Sequence, residues 1–334
     1  MTTANIDWTL FDRRYPVENG IVNALPPDLT GRRLTPNADA KRFDEVHKEV
    51  MQDRPRTDLL KDQKAMASLQ MDFYDRMALA FQSMDDTDQA NGGVFWWKVR
   101  RIGAYDAQLL ENAGLHWSWQ HKKKTLLFVG AGNGRLVRFF TQRGFNVVAT
   151  DISRNMLEVG KKKNESLGIT NVTYVAQNAE IHFPFKTDSF DSVYSLCVMN
   201  HIVNWNNYIT EKLRCVRRGG IVLERLPNAD LWQFWKMQGV LYEGIEKKAA
   251  YCNPDTVRKK LRELNLEGEV WTHDHQPNQQ PLSWPWLTSL SPRLSWLGVQ
   301  TNHALYAARI CLEDIFGYMR HDGQGIYTMF RVKK

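Results

Sequence analysis

The sequence has no long apolar run, no leader-like start and no clustered cysteines. No stretch approaches the about 18–20 apolar residues that cross a bilayer, and MTTANIDWTLFDRRYPVENG contains no basic segment followed by an apolar one. The four cysteines (Cys197, Cys215, Cys252, Cys311) form no CxxC pair, which argues against a disulfide framework and a zinc cluster. We therefore expect a cytoplasmic protein with reduced thiols, no metal and no membrane span.

The patterns that mark metal or nucleic-acid sites are also missing. His273, His275 and His321 lack an HExxH spacing. Residues 1–120 hold 15 Lys and Arg against 18 Asp and Glu, so the net charge of +7 comes from residues 121–334. No aromatic residues alternate with the basic runs Lys122–Lys124 and Lys161–Lys163 as they do in RNA-binding surfaces. We expect a solvated lysine surface that does not bind nucleic acid.

The 334 residues divide into two parts with different patterns. Residues 1–40 predict an irregular arm, and apolar residues at helical spacing follow at Met66, Leu69, Phe73, Met77 and Phe81. We therefore expect residues 1–120 to be a mainly helical extension that covers the active site. Residues 121–334 predict an α/β domain, in which residues 229–320 contain a cap insertion over the substrate.

Short apolar runs alternate with helical segments throughout the second part. This alternation is typical of a mostly parallel sheet with helices on both faces. The predicted strands are Thr125–Val129, Phe145–Thr150, Val172–Ala176, Ser189–Leu196, Ile221–Glu224, Glu267–Thr272 and Gly325–Val332.

The strongest chemical signal is a glycine loop between a strand and a helix. The first strand ends at Gly130-Ala-Gly132-Asn-Gly134, and Asp151 follows the next strand, 17 residues beyond Gly134. A helix N-terminus offers free N–H groups to an anionic ligand, and a carboxylate at that strand end can accept both ribose hydroxyls of a nucleoside. Arg135 stands where GxGxxG needs its third glycine, and GxxxxGK[ST] is absent.

Four segments in this order resemble class I S-adenosylmethionine-dependent methyltransferases, in the branch that includes ubiquinone-pathway and small-molecule enzymes. They are VGAGNGRLVRFF, VVATDISRNMLE, VTYVAQNAEIHFPFKTDSFDSVYSLCVMNHI and CVRRGGIVLERLPN. The resemblance covers residues 124–228, and GIYTMFRVKK fits the family's last strand. It implies a Rossmann-like, seven-stranded sheet with S-adenosylmethionine as cofactor and S-adenosylhomocysteine as product.

The resemblance also implies roles for individual residues. The glycine loop would line the methionine and ribose part of the cofactor, and Asp151 would bind the ribose hydroxyls. Ile152 and Met156 would lie against adenine, Asn178-Ala179 would meet its amino edge, and Leu196 would contact the cofactor through its backbone. The complete predicted set is Gly130, Ala131, Gly132, Gly134, Asp151, Ile152, Met156, Asn178, Ala179 and Leu196.

Two positions depart from the family pattern. Phe128 stands where the family often has an acidic residue that helps to hold the cofactor's amino group. Asn178 replaces a frequent aspartate, although an amide oxygen can still accept a hydrogen bond from the adenine amino group. Phe128 cannot replace a carboxylate, so another group must bind the ammonium, or the affinity is reduced.

Methyl transfer needs a base only when the acceptor loses a proton, so catalytic residues are hard to identify from the sequence. His201, in the loop after the fourth strand, is the candidate base, and packing within that loop is its alternative role. The candidate substrate contacts, each with a structural role as its alternative, are Tyr74, Trp97, Arg100, Glu224, Trp284 and Trp286.

The combined expectation is methyl transfer to an O, N or S nucleophile of a small molecule in a biosynthetic pathway. The basic balance of the second part weakly favours a carboxylate-bearing substrate. An RNA or protein methyltransferase is the first alternative. The second is a protein of the same fold that binds the cofactor or a partner without catalysis, which the departure at Phe128 motivates.

Overall fold

The structure is a computed structural model. It describes residues 6–29, 62–83, 103–111, 124–227, 254–266, 268–273 and 325–331.

A nine-stranded sheet forms the centre of the molecule. Its strands are β1 Val17–Glu18, β2 Ile21–Asn23, β3 Lys124–Val129, β4 Phe145–Asp151, β5 Val172–Ala176, β6 Phe190–Leu196, β7 Val216–Pro227, β8 Gly268–His273 and β9 Gly325–Arg331. The spatial order is β1-β2-β5-β4-β3-β6-β7-β9-β8. Strands β2 to β7 run parallel to one another, whereas β1 is antiparallel to β2, and β9 is antiparallel to both β7 and β8. The seven strands β3 to β9 are the expected, mostly parallel sheet.

Helices cover the sheet on both faces. Their bounds are α1 Gln63–Ser83, α2 Val137–Thr141, α3 Arg154–Ser166, α4 Trp205–Cys215 and α5 Pro254–Glu263, and residues 103–111 are also helical. None of the helices in the described ranges is long and apolar enough to cross a membrane.

Alternation along the central strands divides the apolar core into two clusters. Phe128 and Tyr194 pack on the face that carries α2 and the helix at 103–111. Val129 and Val193 point to the other face, where α4 contributes Tyr208. Because a parallel strand buried on both faces must be apolar throughout, this core explains the continuous run Leu126 to Val129.

The N-terminal segment differs from the predicted irregular arm. Strands β1 and β2 form a hairpin whose turn residues, Asn19 and Gly20, have φ of 54° and 75°. Strand β2 then pairs in parallel with β5, with Ile21 opposite Tyr174. An Asn-Gly pair is the strongest short-range hairpin signal, so the sequence contained information that predicted this hairpin.

Helix α1 docks on the first turn of α3. Ser153 caps α3 by accepting from the Met156 N–H at 3.1 Å, and its hydroxyl donates to Asp75 Oδ1 at 2.6 Å. Asp75 is 1% exposed, and Met77 beside it packs with Met156. Asp75, a residue of the extension, therefore lies at the edge of the sheet that also carries the glycine loop.

Two other segments differ from expectation or lie outside the structure. Strand β7 starts before the pair Gly219-Gly220, which was predicted as a turn, and runs past Glu224 to Pro227. Most of the predicted cap insertion, 229–320, lies outside the described residues, apart from α5 and β8.

Candidate functional site

A cavity of about 310 Å³ opens outside the carboxyl ends of β3, β4, β5 and β6. Strand order reverses at β3, with β4 on one side and β6 on the other, and ligands of parallel sheets bind at such a point. Helix α1 forms a further wall with Ala67, Gln70 and Tyr74. The other lining residues are Val129, Gly130, Gly132, Thr150, Asp151, Ile152, Gln177, Asn178, Ala179, Glu180, Leu196, Cys197, Val198, His201 and Ile202.

Asp151, the last residue of β4, supplies a carboxylate to this cavity. Its Oδ2 accepts from the Gly132 N–H at 2.8 Å, and its Oδ1 accepts from the Ser153 N–H at 2.9 Å. Burial raises the pKa of Asp151 to about 6, although these backbone hydrogen bonds lower it in part. Each oxygen keeps a lone pair, so the carboxylate can still accept hydrogen bonds from a ligand.

Gly130 brings the glycine loop close to the loop that follows β6. It has a φ of +69°, in the left-handed region, and a Cβ here would lie 2.2 Å from Cγ2 of Val198. Glycine avoids both the strain and the clash. The backbone of residue 130 can therefore line the cavity directly.

Three predicted cofactor residues lie behind the cavity wall instead. A Cβ on Gly134 would lie 2.8 Å from Asn164 Nδ2 and 3.3 Å from the Gly160 Cα, so this glycine permits close packing of the loop against α3. Ala131 and Met156 are 8% and 4% exposed and do not line the cavity. The cofactor contacts predicted for these three residues find no support in the described geometry.

Ile152, Asn178 and Ala179, which the resemblance assigned to adenine, all line the cavity. Asn178 Oδ1 already accepts from the Glu180 N–H at 2.9 Å. That bond fixes the amide orientation, because the N–H requires an acceptor. The group that Asn178 can present most freely to a ligand is therefore its Nδ2 donor, whereas the sequence suggested an acceptor.

Phe128 lies in the core, away from the cavity. It is 1% exposed, and its ring centroid lies 4.8 Å from that of Tyr194 and 5.8 Å from that of Phe140. A carboxylate at this position would be buried among aromatic rings at a large desolvation cost. The residue that the family often uses for the cofactor's amino group therefore has a packing role here.

Tyr74 and His201 meet across the cavity. Tyr74 Oη lies 3.2 Å from His201 Nε2, which joins α1 to the 3₁₀ turn Met199–His201 after β6. Burial lowers the pKa of His201 to about 4 and raises the pKa of Tyr74 well above its usual range. Both side chains are therefore neutral at pH 7.

Glu180, which the sequence analysis did not single out, holds the loop that carries His201. Its carboxylate accepts from the backbone N–H groups of Val203 and Asn204, and its carbonyl accepts from Asn207 Nδ2 at 2.9 Å. These groups form the N-terminus of α4, where a negative charge is stabilising. Its position two residues after Asn178 would have identified Glu180 as a candidate, but the distant N–H groups that it binds are set by the tertiary fold.

The predicted substrate residue Glu224 does not line the cavity. It is 6% exposed and accepts hydrogen bonds from Lys212 Nζ and Ser195 Oγ. It lies three residues before the end of β7, on the face that carries α4, because the strand continues beyond its predicted end. The other four substrate candidates, Trp97, Arg100, Trp284 and Trp286, lie outside the described residues.

The fold and site together define a class. A mostly parallel sheet, a glycine loop after β3 and a carboxylate at the end of β4 form a Rossmann-like domain with the groups that a nucleoside site requires. Residues 127–223 match the family described as a methyltransferase domain. This part of the chain is a methyltransferase domain of the class I, S-adenosylmethionine-dependent type.

Named relatives cover part of the chain. It is 27% identical over 165 residues to demethylmenaquinone methyltransferase of Thermobifida fusca (strain YX), which is 49% of this chain and 62% of the relative. It is 30% identical over 153 residues to ubiquinone biosynthesis O-methyltransferase of Dechloromonas aromatica (strain RCB), 44% of this chain and 66% of the relative. The aligned region thus spans less than two thirds of both relatives' length.

A solved structure gives a more distant likeness. A putative sarcosine dimethylglycine methyltransferase from Galdieria sulphuraria is 14% identical, with a TM-score of 0.47 over 70% of this chain and 88% of that chain.

Proposed function

We propose that the protein transfers the methyl group of S-adenosylmethionine to a small molecule. The observation that carries this proposal is the carboxylate of Asp151, which faces a 310 Å³ cavity beside the N–H of Gly132. Pockets of about 300–1,000 Å³ with a few convergent polar groups are typical of cofactor sites.

The residues present fit this cofactor. Asp151 offers acceptors for the ribose hydroxyls, Gly130 and Gly132 admit the cofactor close to the backbone, and Ile152 offers an apolar surface for adenine. When bound, S-adenosylmethionine supplies an electrophilic methyl group on a sulfonium. The protein then has to hold the acceptor in line with that methyl group and exclude water.

Tyr74 and His201 are the candidates for contact with the acceptor. A pKa of about 4 makes His201 a weak base, and a nearby sulfonium would disfavour the imidazolium further. We therefore assign the pair mainly to orienting the acceptor through hydrogen bonds. Full proton transfer to His201, as the sequence suggested, is the second possibility for an acceptor that loses a proton.

The extension and the cap belong to the same proposal. Helix α1 supports a covering role for residues 1–120, because three of its residues line the cavity. The sequence predicts that residues 229–320 contain a cap over the substrate, and most of these residues lie outside the part of the chain that the structure describes. Such enclosure suits a small molecule better than a macromolecule.

The relatives indicate which acceptors to test first. Their names refer to menaquinone and ubiquinone. A further relative, from Pectobacterium carotovorum, is named a ubiquinone/menaquinone biosynthesis C-methyltransferase, so carbon joins O, N and S as an acceptor atom to test. Quinone precursors with free ring carbons and hydroxyl groups therefore belong in the first set, beside carboxylate-bearing phenols and amines.

Calorimetric titration with S-adenosylmethionine and S-adenosylhomocysteine, with NADH as the control, tests the cofactor. Micromolar binding of the first two and none of NADH is expected. An acceptor screen that measures S-adenosylhomocysteine release then tests the transfer. Cofactor binding without release for any acceptor class would favour a non-catalytic protein, and absence of cofactor binding would overturn the proposal.

A further inference from the structure

We propose that Gln70, on helix α1, binds the ribose of the cofactor from the helix side of the cavity. This inference rests on the proposed function, because it assumes that the cavity holds S-adenosylmethionine. Gln70 lies outside residues 127–223, which match the methyltransferase domain family, so no family motif assigns it a role.

Gln70 is a buried residue whose side-chain amide makes no hydrogen bond to the residues that the structure describes. Its side chain is 8% exposed and lines the cavity. Within the described ranges, its amide oxygen and nitrogen make no hydrogen bond, whereas the cavity-lining amides of Asn178 and Gln177 each make one. Buried polar groups are nearly always paired, so a free amide that faces a cavity indicates a ligand.

The neighbours of Gln70 on α1 locate it along the cavity. Ala67, one turn earlier, packs in the cluster that includes Ile152, at the predicted adenine wall. Tyr74, one turn later, reaches His201 Nε2 at 3.2 Å, at the end where the loop after β6 lies. Residues at i, i+3 and i+7 share one helix face, so Gln70 lies between these two ends.

The same order exists in the cofactor, where ribose connects adenine to the sulfonium chain. A ligand with adenine at Ile152 and its sulfonium near His201 therefore places its ribose beside both Asp151 and Gln70. The two residues have complementary chemistry, because a carboxylate only accepts, whereas an amide both donates and accepts. Asp151 would accept hydrogen bonds from the two ribose hydroxyls, and the Gln70 amide would donate to a ribose oxygen from the opposite side.

Substitution of Gln70 by methionine tests this assignment. Gln70→Met keeps the length of the side chain and removes both polar atoms. The probes are adenine, 5′-methylthioadenosine and S-adenosylhomocysteine, which add in turn the ribose and the amino-acid chain. We expect an affinity loss of about tenfold, typical of one hydrogen bond, for both ribose-containing ligands and none for adenine.

Each other pattern overturns the assignment. Unchanged affinities would remove Gln70 from the site, loss for S-adenosylhomocysteine alone would place it at the amino-acid chain, and loss for adenine as well would place it at the base. Ser68→Ala, an exposed change on the same helix, is the matched control, and equal melting temperatures show that α1 still docks. Absence of binding to the unsubstituted protein would count against the proposed function instead.

Discussion

The sequence assigned two acidic residues to the site, Asp151 and Glu224, each at the predicted carboxyl end of a strand, and the two have different surroundings in the structure. Asp151 is the last residue of its strand and faces the cavity with two backbone N–H donors. Glu224 lies within its strand and pairs with the Lys212 ammonium in the core. The comparison teaches that a carboxylate near a strand end becomes a ligand group only where no helix offers it a counter-charge.

The neighbours of Glu224 make it a structural residue. Lys212 is 1% exposed, and its Nζ lies 4.1 Å from the ring centroid of Tyr208. Burial lowers the pKa of Lys212, although the charge of Glu224 raises it in part. A buried ion pair of this kind holds α4 against β6 and β7, beneath the loop that carries His201.

The largest expected effect is the loss of protein stability when one member of this ion pair is removed. Lys212→Met leaves an uncompensated buried carboxylate and should lower the free energy of unfolding by about 3–5 kcal/mol. Chemical denaturation measures the loss. The double variant Lys212→Met/Glu224→Leu removes both charges and should recover most of it, and a double variant as unstable as the single one would contradict this role.

The next largest effect is on ligand binding at Asp151, at the end of β4. Asp151→Ala removes the acceptor of the two proposed hydrogen bonds from the ribose hydroxyls. Each hydrogen bond to a charged group is worth about 1.5–3 kcal/mol, so the dissociation constant for S-adenosylhomocysteine should rise at least about 100-fold. Calorimetry measures it. Glu165→Ala, which removes a half-exposed acid paired with Lys161, is the matched control. Equal affinities of the two variants would sink the ribose role of Asp151.

The difference between the two strand ends also shows what a sequence can predict. The glycine loop and Asp151 were found because their geometry is local: a loop, the strand after it and the helix that follows. Most strands were found for the same reason, since each is a continuous apolar run.

The remaining features depend on contacts between distant segments. Glu224 is buried in an ion pair because Lys212 on α4 contacts it and because its strand continues to Pro227. Gln70 reaches the cavity because α1 docks on α3, through the hydrogen bond between Asp75 and Ser153 and the packing of Met77 on Met156. Neither hydrogen bond leaves a pattern in the local sequence. The hydrophobic periodicity therefore predicted these helices without showing which residues they contact.

Substitution of Gly130 tests how closely the glycine loop packs against the loop after β6, at the edge of the sheet that carries Asp151. Gly168→Ala has a φ of +74° and nothing within 4 Å of the new Cβ, so it should cost about 1–2 kcal/mol for the left-handed backbone. Gly130→Ala adds the clash with Val198 and should cost a further 1–3 kcal/mol or so. Paired denaturation curves measure both variants. Equal losses would show that the loop after β6 moves away freely.

The smallest expected effect is the pH dependence of ligand binding at Asp151. The pKa of Asp151 is raised to about 6, above its unfolded value, so the folded protein binds this proton more tightly. Its contribution to stability is therefore present at low pH and lost as pH rises through 6. Ligand binding has the opposite sign, because the ribose hydroxyls need the ionised carboxylate.

The dissociation constant for S-adenosylhomocysteine should therefore rise as pH falls below 6, with a slope that approaches tenfold per pH unit. His201 titrates lower, since burial holds its pKa at about 4, whereas burial also raises the pKa of Glu180 in the same cavity, so a variant of Asp151 is needed to assign the midpoint. Titration of Asp151→Asn, whose amide does not ionise, should give weak binding with no midpoint there. A midpoint that persists in this variant would show that a group other than Asp151 controls binding.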